Sequence, residues 1–163
     1  MYRFRVIFVL ALALTVGSMS AVMAQEKMGD KRVYHTIKSE TFQIPDKEGH
    51  LLVTSETQGY DLQAGGTAIN RVIADLVKGN GRVFGYGTLT EKDGDLLHYS
   101  FDGRVTTVAN ASGKPATSSQ GTWMSTGGTG KWQQRDARGS FKNAVVSPGT
   151  ALAEWEGSWE TKK

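Results

Sequence analysis

The side chains able to do chemistry in this sequence are scattered, and the clearest group of them alternates along one segment. His98, Ser100 and Asp102 occupy every second position, so they share one face if the strand predicted at residues 96–101 continues through Asp102. Facing inward they would form a polar strip inside a barrel, and facing outward they would be solvated. The two registers differ by one residue, and both stay open. The spacing defines no Ser-His-Asp arrangement, and the absence of cysteine excludes a thiol nucleophile.

Other motifs that suggest ligand chemistry are better explained by turns. Residues 127–131 fail as a phosphate-binding loop, because Ser125 and Trp132 stand where that loop needs a glycine and a Ser or Thr. Asp93 and Asp95 flank a glycine, but the fuller calcium loop is missing and Asp-Gly is a strong hairpin signal. The three histidines lack metal-ligand spacing. We therefore predict no metal and no cofactor.

The aromatic residues support two interpretations, core packing or a ligand cavity. All four tryptophans lie in the C-terminal part of the chain, at Trp123, Trp132, Trp155 and Trp159. A small barrel is either filled by its own side chains or holds one small ligand, and the sequence leaves both open. Our candidates for pocket residues are Glu56, Tyr86, His98, Asp102 and Trp123.

The segments that must position these residues have the period of strands. Residues 33–44 and 50–57 are rich in β-branched and aromatic residues, which suit a pleated surface. Residues 151–160 alternate Ala and Trp with Glu, as in a sheet with one buried face and one wet face. Many short strands separated by turn signals predict a barrel or sandwich, and the glycine-rich strands favour a barrel.

One segment, residues 67–78, is ambiguous. Ile69, Val72, Ile73 and Leu76 fit a helical stripe that Thr67 could cap. The same residues include short β-branched pairs that fit a strand, and the segments that follow all read as strands. Periodicity by itself favours a helix here, whereas the neighbouring segments favour a strand.

Residues 121–132 are expected to form the hairpin that closes the barrel. A strand containing Trp123 leads into a glycine-rich turn, and Trp132 starts the next strand. We assign Gly127, Gly128 and Gly130 to this structural turn.

The N-terminus has the layout of a cleavable secretory signal. Arg3 and Arg5 precede an apolar stretch too short for a bilayer span, and small residues precede Gln25. We predict a signal peptide at residues 1–24, a flexible segment at 25–32 and one barrel domain at 33–163. Residues 1–24 could instead act as a membrane anchor, but cleavage is favoured, leaving an exported periplasmic or extracellular protein with no membrane span.

The charge of the mature chain argues against nucleic acid as a partner. Removal of Arg3 and Arg5 with the signal takes two positive charges from the formal net charge of +3. No run of Lys or Arg follows residue 32. Nucleic-acid binding depends on such basic clusters.

Short motifs spread over most of the predicted domain resemble a family of small secreted bacterial proteins, the allene-oxide-cyclase-like barrels. Each motif is short, and it is their order and spacing that carry the resemblance. They are Gly49-His50, residues 75–81, residues 85–90, Asp93-Gly94-Asp95, residues 103–107, Gly121-Thr122-Trp123, residues 127–131 and Trp155-Glu156-Gly157.

The resemblance implies an eight-stranded antiparallel barrel of calycin type, with residues 75–77 on a strand. Arg135 and Ala137 replace an apolar residue and a glycine of the family pattern, so the strand after the turn is expected to be altered or more exposed. No catalytic residue of the plant cyclases matches a motif here, and none is assigned.

The leading functional hypothesis is an exported barrel that binds a small apolar or amphipathic molecule or lipid. The first alternative is an isomerase or cyclase acting on an oxidised lipid, which the superfamily name suggests. The second is a structural or homo-oligomeric envelope protein without a ligand. A binding protein is favoured over an enzyme, because the sequence has no catalytic constellation.

Overall fold

Alternation of β-branched or aromatic residues with polar ones continues through most of the chain, and each such run forms a strand. The computed structural model describes residues 26–162. Eight strands succeed one another: β1 (Glu26–Gln43), β2 (His50–Asp61), β3 (Thr67–Val77), β4 (Asn80–Thr90), β5 (Leu96–Ala109), β6 (Pro115–Gly128), β7 (Arg135–Ser147) and β8 (Thr150–Thr161). The predicted signal peptide, residues 1–24, lies outside the described residues.

Each strand pairs antiparallel with the next, and β1 also pairs with β8, which closes the barrel. The all-β fold with an eight-stranded antiparallel barrel is therefore confirmed. The ambiguous segment is strand β3, which pairs in continuous register with β2 and β4. Its helical stripe is overridden because two neighbouring strands satisfy its backbone groups.

The first strand begins earlier than predicted. Residues 26–32, expected to be flexible together with Gln25, form the start of β1 and pair with β8 from Glu26 onward. Asp30 fixes this segment further, because its carboxylate accepts hydrogen bonds from the backbone N–H groups of Gln63 and Ala64. Hydrophobic alternation is missing here because Asp30 and Arg32 are buried on the inner face.

The connection between β6 and β7 also differs from the tight hairpin expected. Gly127 and Gly128 end β6, and Gly130 opens a 3-10 turn, Gly130–Gln134. Trp132 lies in this turn, not on a strand, and is only 2 % exposed. The connection is longer than a tight hairpin turn, since it runs from Gly128 to Arg135 and includes a 3-10 turn. This length allows the Trp132 indole to lie over the end of the barrel.

Arg135 and Ala137, where the motif resemblance suggested an altered or more exposed strand, lie at a packed start of β7. Arg135 begins β7, and its guanidinium lies 3.5 Å from the ring centre of Trp159. Ala137 is buried, and its N–H donates to the Ser125 hydroxyl. The start of β7 is therefore well packed, contrary to the expected exposure.

The core fills one end of the barrel and leaves the other open. The loops between β2 and β3, β4 and β5, and β6 and β7 all lie at the filled end. Buried apolar residues close this end: Ala68, Leu89, Leu97, Tyr99, Trp123, Trp132 and Ala137. The inward residues nearer the opposite end are smaller and more polar, so a cavity remains there.

Candidate ligand site inside the barrel

The barrel contains a cavity of about 200 Å³ that opens toward the end opposite Trp132. Its wall is mainly aromatic, with Tyr34, Tyr99, Phe101, Trp123, Phe141 and Trp155. Edge-on packing holds this wall together: Trp123 contacts Tyr99 at 6.4 Å and Trp155 at 5.9 Å between ring centres. Ser55, Ser119 and Asn143 line the cavity nearer its opening.

A buried ion pair lies deep in the wall. Arg32 donates from Nε to Asp61 Oδ1 at 2.6 Å and from Nη2 to Oδ2 at 2.9 Å. Trp155 Nε1 donates to the same carboxylate at 3.2 Å. Both charged residues are buried, so the two-point geometry and the extra hydrogen bond must offset a large desolvation cost.

The environment keeps the Arg32 guanidinium charged. Burial lowers the pKa of Arg32, but the neighbouring oxygen of Tyr34 and the hydrogen bonds that Arg32 donates to Asp61 outweigh that effect. The net pKa therefore lies above the ordinary value for arginine. Because Asp61 carries the compensating charge, the pair contributes no net charge to the cavity.

Two tyrosines and an asparagine extend the polar group from the ion pair. Arg32 Nη1 donates to the hydroxyl of Tyr34 at 2.8 Å and, at 3.4 Å, to that of Tyr99. The Tyr99 hydroxyl donates to Asn70 Oδ1 at 2.6 Å. Burial, and next the adjacent Tyr34, raises the pKa of Tyr99 well above its ordinary value, so this phenol stays protonated at neutral pH.

Gly87 makes room for this arrangement. It pairs with Asn70 on one side and with Tyr99 on the other. A Cβ at this position would overlap with Asn70 Oδ1 and with the Tyr99 ring. A glycine is therefore required for the two polar side chains to meet across β4.

The sequence-predicted pocket residues separate into two groups. Trp123 lines the cavity, whereas the four other side chains lie on the outer face. Glu56 forms an ion pair with Arg71, and the exposed Tyr86 lies over a shallow outer groove. His98 Nδ1 is 2.9 Å from the Thr88 hydroxyl, and Asp102 accepts from Arg82 Nε at 2.9 Å.

Register explains this separation. On β5 the inward residues are Tyr99 and Phe101, so the alternating strip of His98, Ser100 and Asp102 faces outward. On β2 the inward residues are Ser55 and Thr57, which places Glu56 outside. The cavity therefore draws its polar groups from other residues than those the sequence suggested.

Sequence reasoning missed Arg32, Tyr34, Asp61 and Asn70. Arg32 fell in the segment expected to be flexible, and Asp61 lay beyond the strand predicted at residues 50–57. The two are 29 positions apart, and no local spacing indicates that they pair. The alternation of Asp30, Arg32 and Tyr34 was a usable signal, because three polar or amphipathic residues at period two share one strand face.

The acidic tip between β4 and β5 is held by a lysine. Carboxylate oxygens of Glu91, Asp93 and Asp95 lie close together. Lys131 Nζ forms ion pairs with Glu91 and, at 3.2 Å, with Asp93. Asp95 accepts the Lys131 N–H at 3.0 Å. This ammonium supplies the positive charge that the acidic group attracts, and it anchors the 3-10 turn to the β4–β5 loop.

Comparison with known proteins identifies a similar fold and does not assign the chain to a family. No protein-family model matches the chain, and no curated protein matches it. The structure of the pterocarpan synthase dirigent protein PsPTS1 is similar, with a TM-score of 0.50 and 14 % identity over 85 % of this chain and 97 % of that one. Similarity at this level of identity shows a shared eight-stranded barrel fold. Among residues 26–162, no helix has the length and apolar character needed to cross a membrane.

Proposed function

We propose that this protein is exported and that its barrel binds one small apolar or amphipathic molecule. The observation that carries the proposal is the aromatic cavity of about 200 Å³ with polar groups in its wall. Pockets that bind small molecules combine a mostly apolar lining with a few fixed polar groups. Membership of the allene-oxide-cyclase-like barrels, which the motif order suggests, would agree with such a role.

The cavity can be tested by blocking its opening from one strand. Ser119 faces the cavity, whereas its exposed neighbour Ser118 faces outward on the same strand. A Ser119→Phe substitution places a ring in the cavity and should lower the affinity for any bound molecule at least about tenfold, or about 1.4 kcal/mol. Ser118→Phe adds the same ring to the outer face and should leave binding unchanged.

The measurement is native mass spectrometry after incubation with a bacterial lipid extract. The wild type and Ser118→Phe should retain a bound molecule that Ser119→Phe loses. Recovery of bare protein in every case, together with an interior filled by its own side chains in a crystal structure, would contradict the proposal. Secretion is tested separately, by cell fractionation and N-terminal sequencing: the protein should be found outside the cytoplasm and begin near Gln25, and protein found only in the cytoplasm with an intact Met1 would contradict export.

An isomerase or cyclase acting on an oxidised lipid is the second candidate. It is favoured by the buried Arg32, Tyr99 and Asn70 together with the half-buried Tyr34, because fixed polar groups in an apolar cavity can orient a reactive substrate. The names of the similar synthase structure and of the cyclase superfamily agree with it. The test is the chirality of the products formed from an oxidised polyunsaturated lipid. Enantiomeric excess that Ser119→Phe abolishes supports it, and racemic product contradicts it.

A further inference from the structure

The hydrogen-bonding state of the barrel wall indicates what kind of ligand the cavity selects. Resting on the proposed ligand-binding function, we infer that the occupant is a neutral molecule with a flat apolar body and one accepting oxygen, such as a ketone. That oxygen receives the proton of the Tyr34 hydroxyl, and carboxylates are rejected.

Four of the five N–H donors of Arg32 already have partners. Nε and Nη2 are directed to Asp61, and Nη1 is directed to the hydroxyls of Tyr34 and Tyr99. An arginine engaged in this way has no two-point donor face left for a ligand carboxylate. Its charge is balanced by an adjacent buried carboxylate, so it does not attract a second anion.

The Tyr34 hydroxyl is the donor that remains. It accepts from Arg32 at 2.8 Å, and its other polar neighbour is the Tyr99 hydroxyl, so an entering acceptor competes with that oxygen for the Tyr34 proton. The Tyr99 proton, in contrast, is already directed to Asn70. A hydroxyl that accepts from a cation is a stronger donor, because the two hydrogen bonds polarise each other. Since Tyr34 lines the cavity, this proton is available to an entering acceptor.

An anionic ligand would be opposed by the same wall. A carboxylate placed at Tyr34 would lie near the buried Asp61, and it would lose its hydration without gaining a cation of its own. A neutral carbonyl oxygen avoids both costs. The site therefore selects a neutral carbonyl over a carboxylate in two ways: Tyr34 attracts the carbonyl oxygen, and Asp61 repels the anion.

The remaining wall suits a flat ring system. Phe101, Trp123, Phe141 and Trp155 surround the space next to Tyr34. A cavity of about 150 Å³ is enough to hold benzene. The volume here, about 200 Å³ with an opening to solvent, suits a body of one or two rings.

Three probes of nearly equal shape test the inference by calorimetric titration of the purified protein. They are 2-acetylnaphthalene, a neutral ketone; 2-isopropenylnaphthalene, in which a CH₂ group replaces the carbonyl oxygen; and 2-naphthoate, the anion. The ketone should bind about 3- to 10-fold more tightly than the alkene, the gain expected for one hydrogen bond. Naphthoate should bind at least about 10-fold more weakly than the ketone.

Tyr34→Phe removes the donor and keeps the ring. In this variant the ketone should lose its advantage over the alkene, whose affinity should not change. Tyr86→Phe is the matched control, because Tyr86 is exposed on the outer face, and its binding profile should equal that of the wild type. The comparison of the three probes on the wild type stands even if Tyr34→Phe does not fold.

The outcomes separate the two proposals. Equal binding of ketone and alkene, or tighter binding of naphthoate, overturns the inferred selectivity while leaving a ligand-binding barrel. An advantage of the ketone that survives in Tyr34→Phe overturns the assignment to this hydroxyl. Failure of all three probes overturns the inferred ligand class. If the lipid-extract experiment also yields only bare protein, the proposed function is lost with it.

Discussion

At the scale of single residues, Arg32 has the least ordinary environment in the described chain. Arginine is rarely buried unless it is paired. Here the Arg32 side chain is 5 % exposed, and the side chain of its partner Asp61 is 1 % exposed. The pair joins β1 to the end of β2 and orients Tyr34 and Trp155 through hydrogen bonds. The ion pair thus positions the side chains that line the cavity. Each of its two charges is stabilised inside the barrel by the other.

Asp61→Asn tests that dependence. The amide removes the compensating charge and leaves a buried guanidinium, so unfolding should become easier by about 3 to 5 kcal/mol. The measurement is the urea midpoint and slope. Asp102→Asn is the control, since its partner Arg82 is exposed and surface pairs contribute about 0 to 1 kcal/mol.

A double variant separates charge from packing. Arg32→Met combined with Asp61→Leu removes both charges and retains similar volume, so it should recover much of the stability that Asp61→Asn loses. If Asp61→Asn proves no more destabilising than Asp102→Asn, the ion pair does not hold the wall together.

At the scale of elements, the connections at the filled end fix the shape of the barrel. The 3-10 turn between β6 and β7 buries Trp132 and is tied to the β4–β5 loop by Lys131 and Asp95. Gly130 begins this turn at φ 52°, and a Cβ there would overlap with the Asp95 carboxylate. The turn therefore depends on a glycine for its backbone and for space.

Gly130→Val should lower stability for both of these reasons. A β-branched residue is strained at positive φ, at a cost of about 1 to 3 kcal/mol, and the overlap with Asp95 adds to it. Gly94→Val is the control, because φ there is also positive, 91°, but nothing lies within 4 Å of its added Cβ. Thermal melting should show the larger loss for Gly130→Val; an unchanged melting temperature would contradict a close-packed turn with positive φ at residue 130.

The hairpin of β1 and β2 should respond to pH. His50 Nδ1 is hydrogen-bonded to Asp46, and Nε2 lies 2.7 Å from Asp75. The hydrogen bond that the His50 ring donates to Asp46, then the one it donates to Asp75, raises the pKa of His50, and His50 in turn lowers the pKa of Asp46. The folded state therefore binds the histidine proton more tightly than the unfolded chain does.

The protein should therefore lose stability as the pH rises, because the folded state binds this proton more tightly. The stabilisation from His50 is complete below its ordinary pKa of about 6.5 and is lost as the pH rises through the higher folded pKa. The contribution of Asp46 is lost at the other end, as the pH falls through its lowered pKa. Urea midpoints should decline as the pH rises above about 6.5, and the decline should be absent in His50→Gln. A flat wild-type profile over this range would contradict the assignment.

At the scale of the whole molecule, closure and small inward residues create the cavity. Pairing of β1 with β8 leaves no sheet edge among the described strands, so every strand is supported on both sides. Gly139, Ala153 and Gly157 face inward on β7 and β8, and the Trp123 ring packs over the two glycines. On these two strands the small residues thus alternate with the rings of Phe141 and Trp155, and the space beside the rings remains unfilled toward the open end.

The sequence by itself determined the all-β class, the barrel and the positions of most turns. Period-two alternation in residues such as 151–160, and the Asp-Gly turn at Asp93, are local properties of a strand and its connection, so they can be read without partners. Trp123 was a pocket candidate because aromatic side chains in a small barrel either pack its core or line a cavity, and it does both.

Only the tertiary structure decided the identity of the cavity wall. A shift of one residue moves every side chain of a strand to the other face, so Tyr99 faces inward and His98 outward without any change in the local pattern. The pairing of Arg32 with Asp61 depends on the register between β1 and β2 across 29 positions. The strand segment around Arg32 shows no alternation of apolar residues, because its inward position holds a charge. That charge can be buried only because Asp61, on another strand, lies next to it.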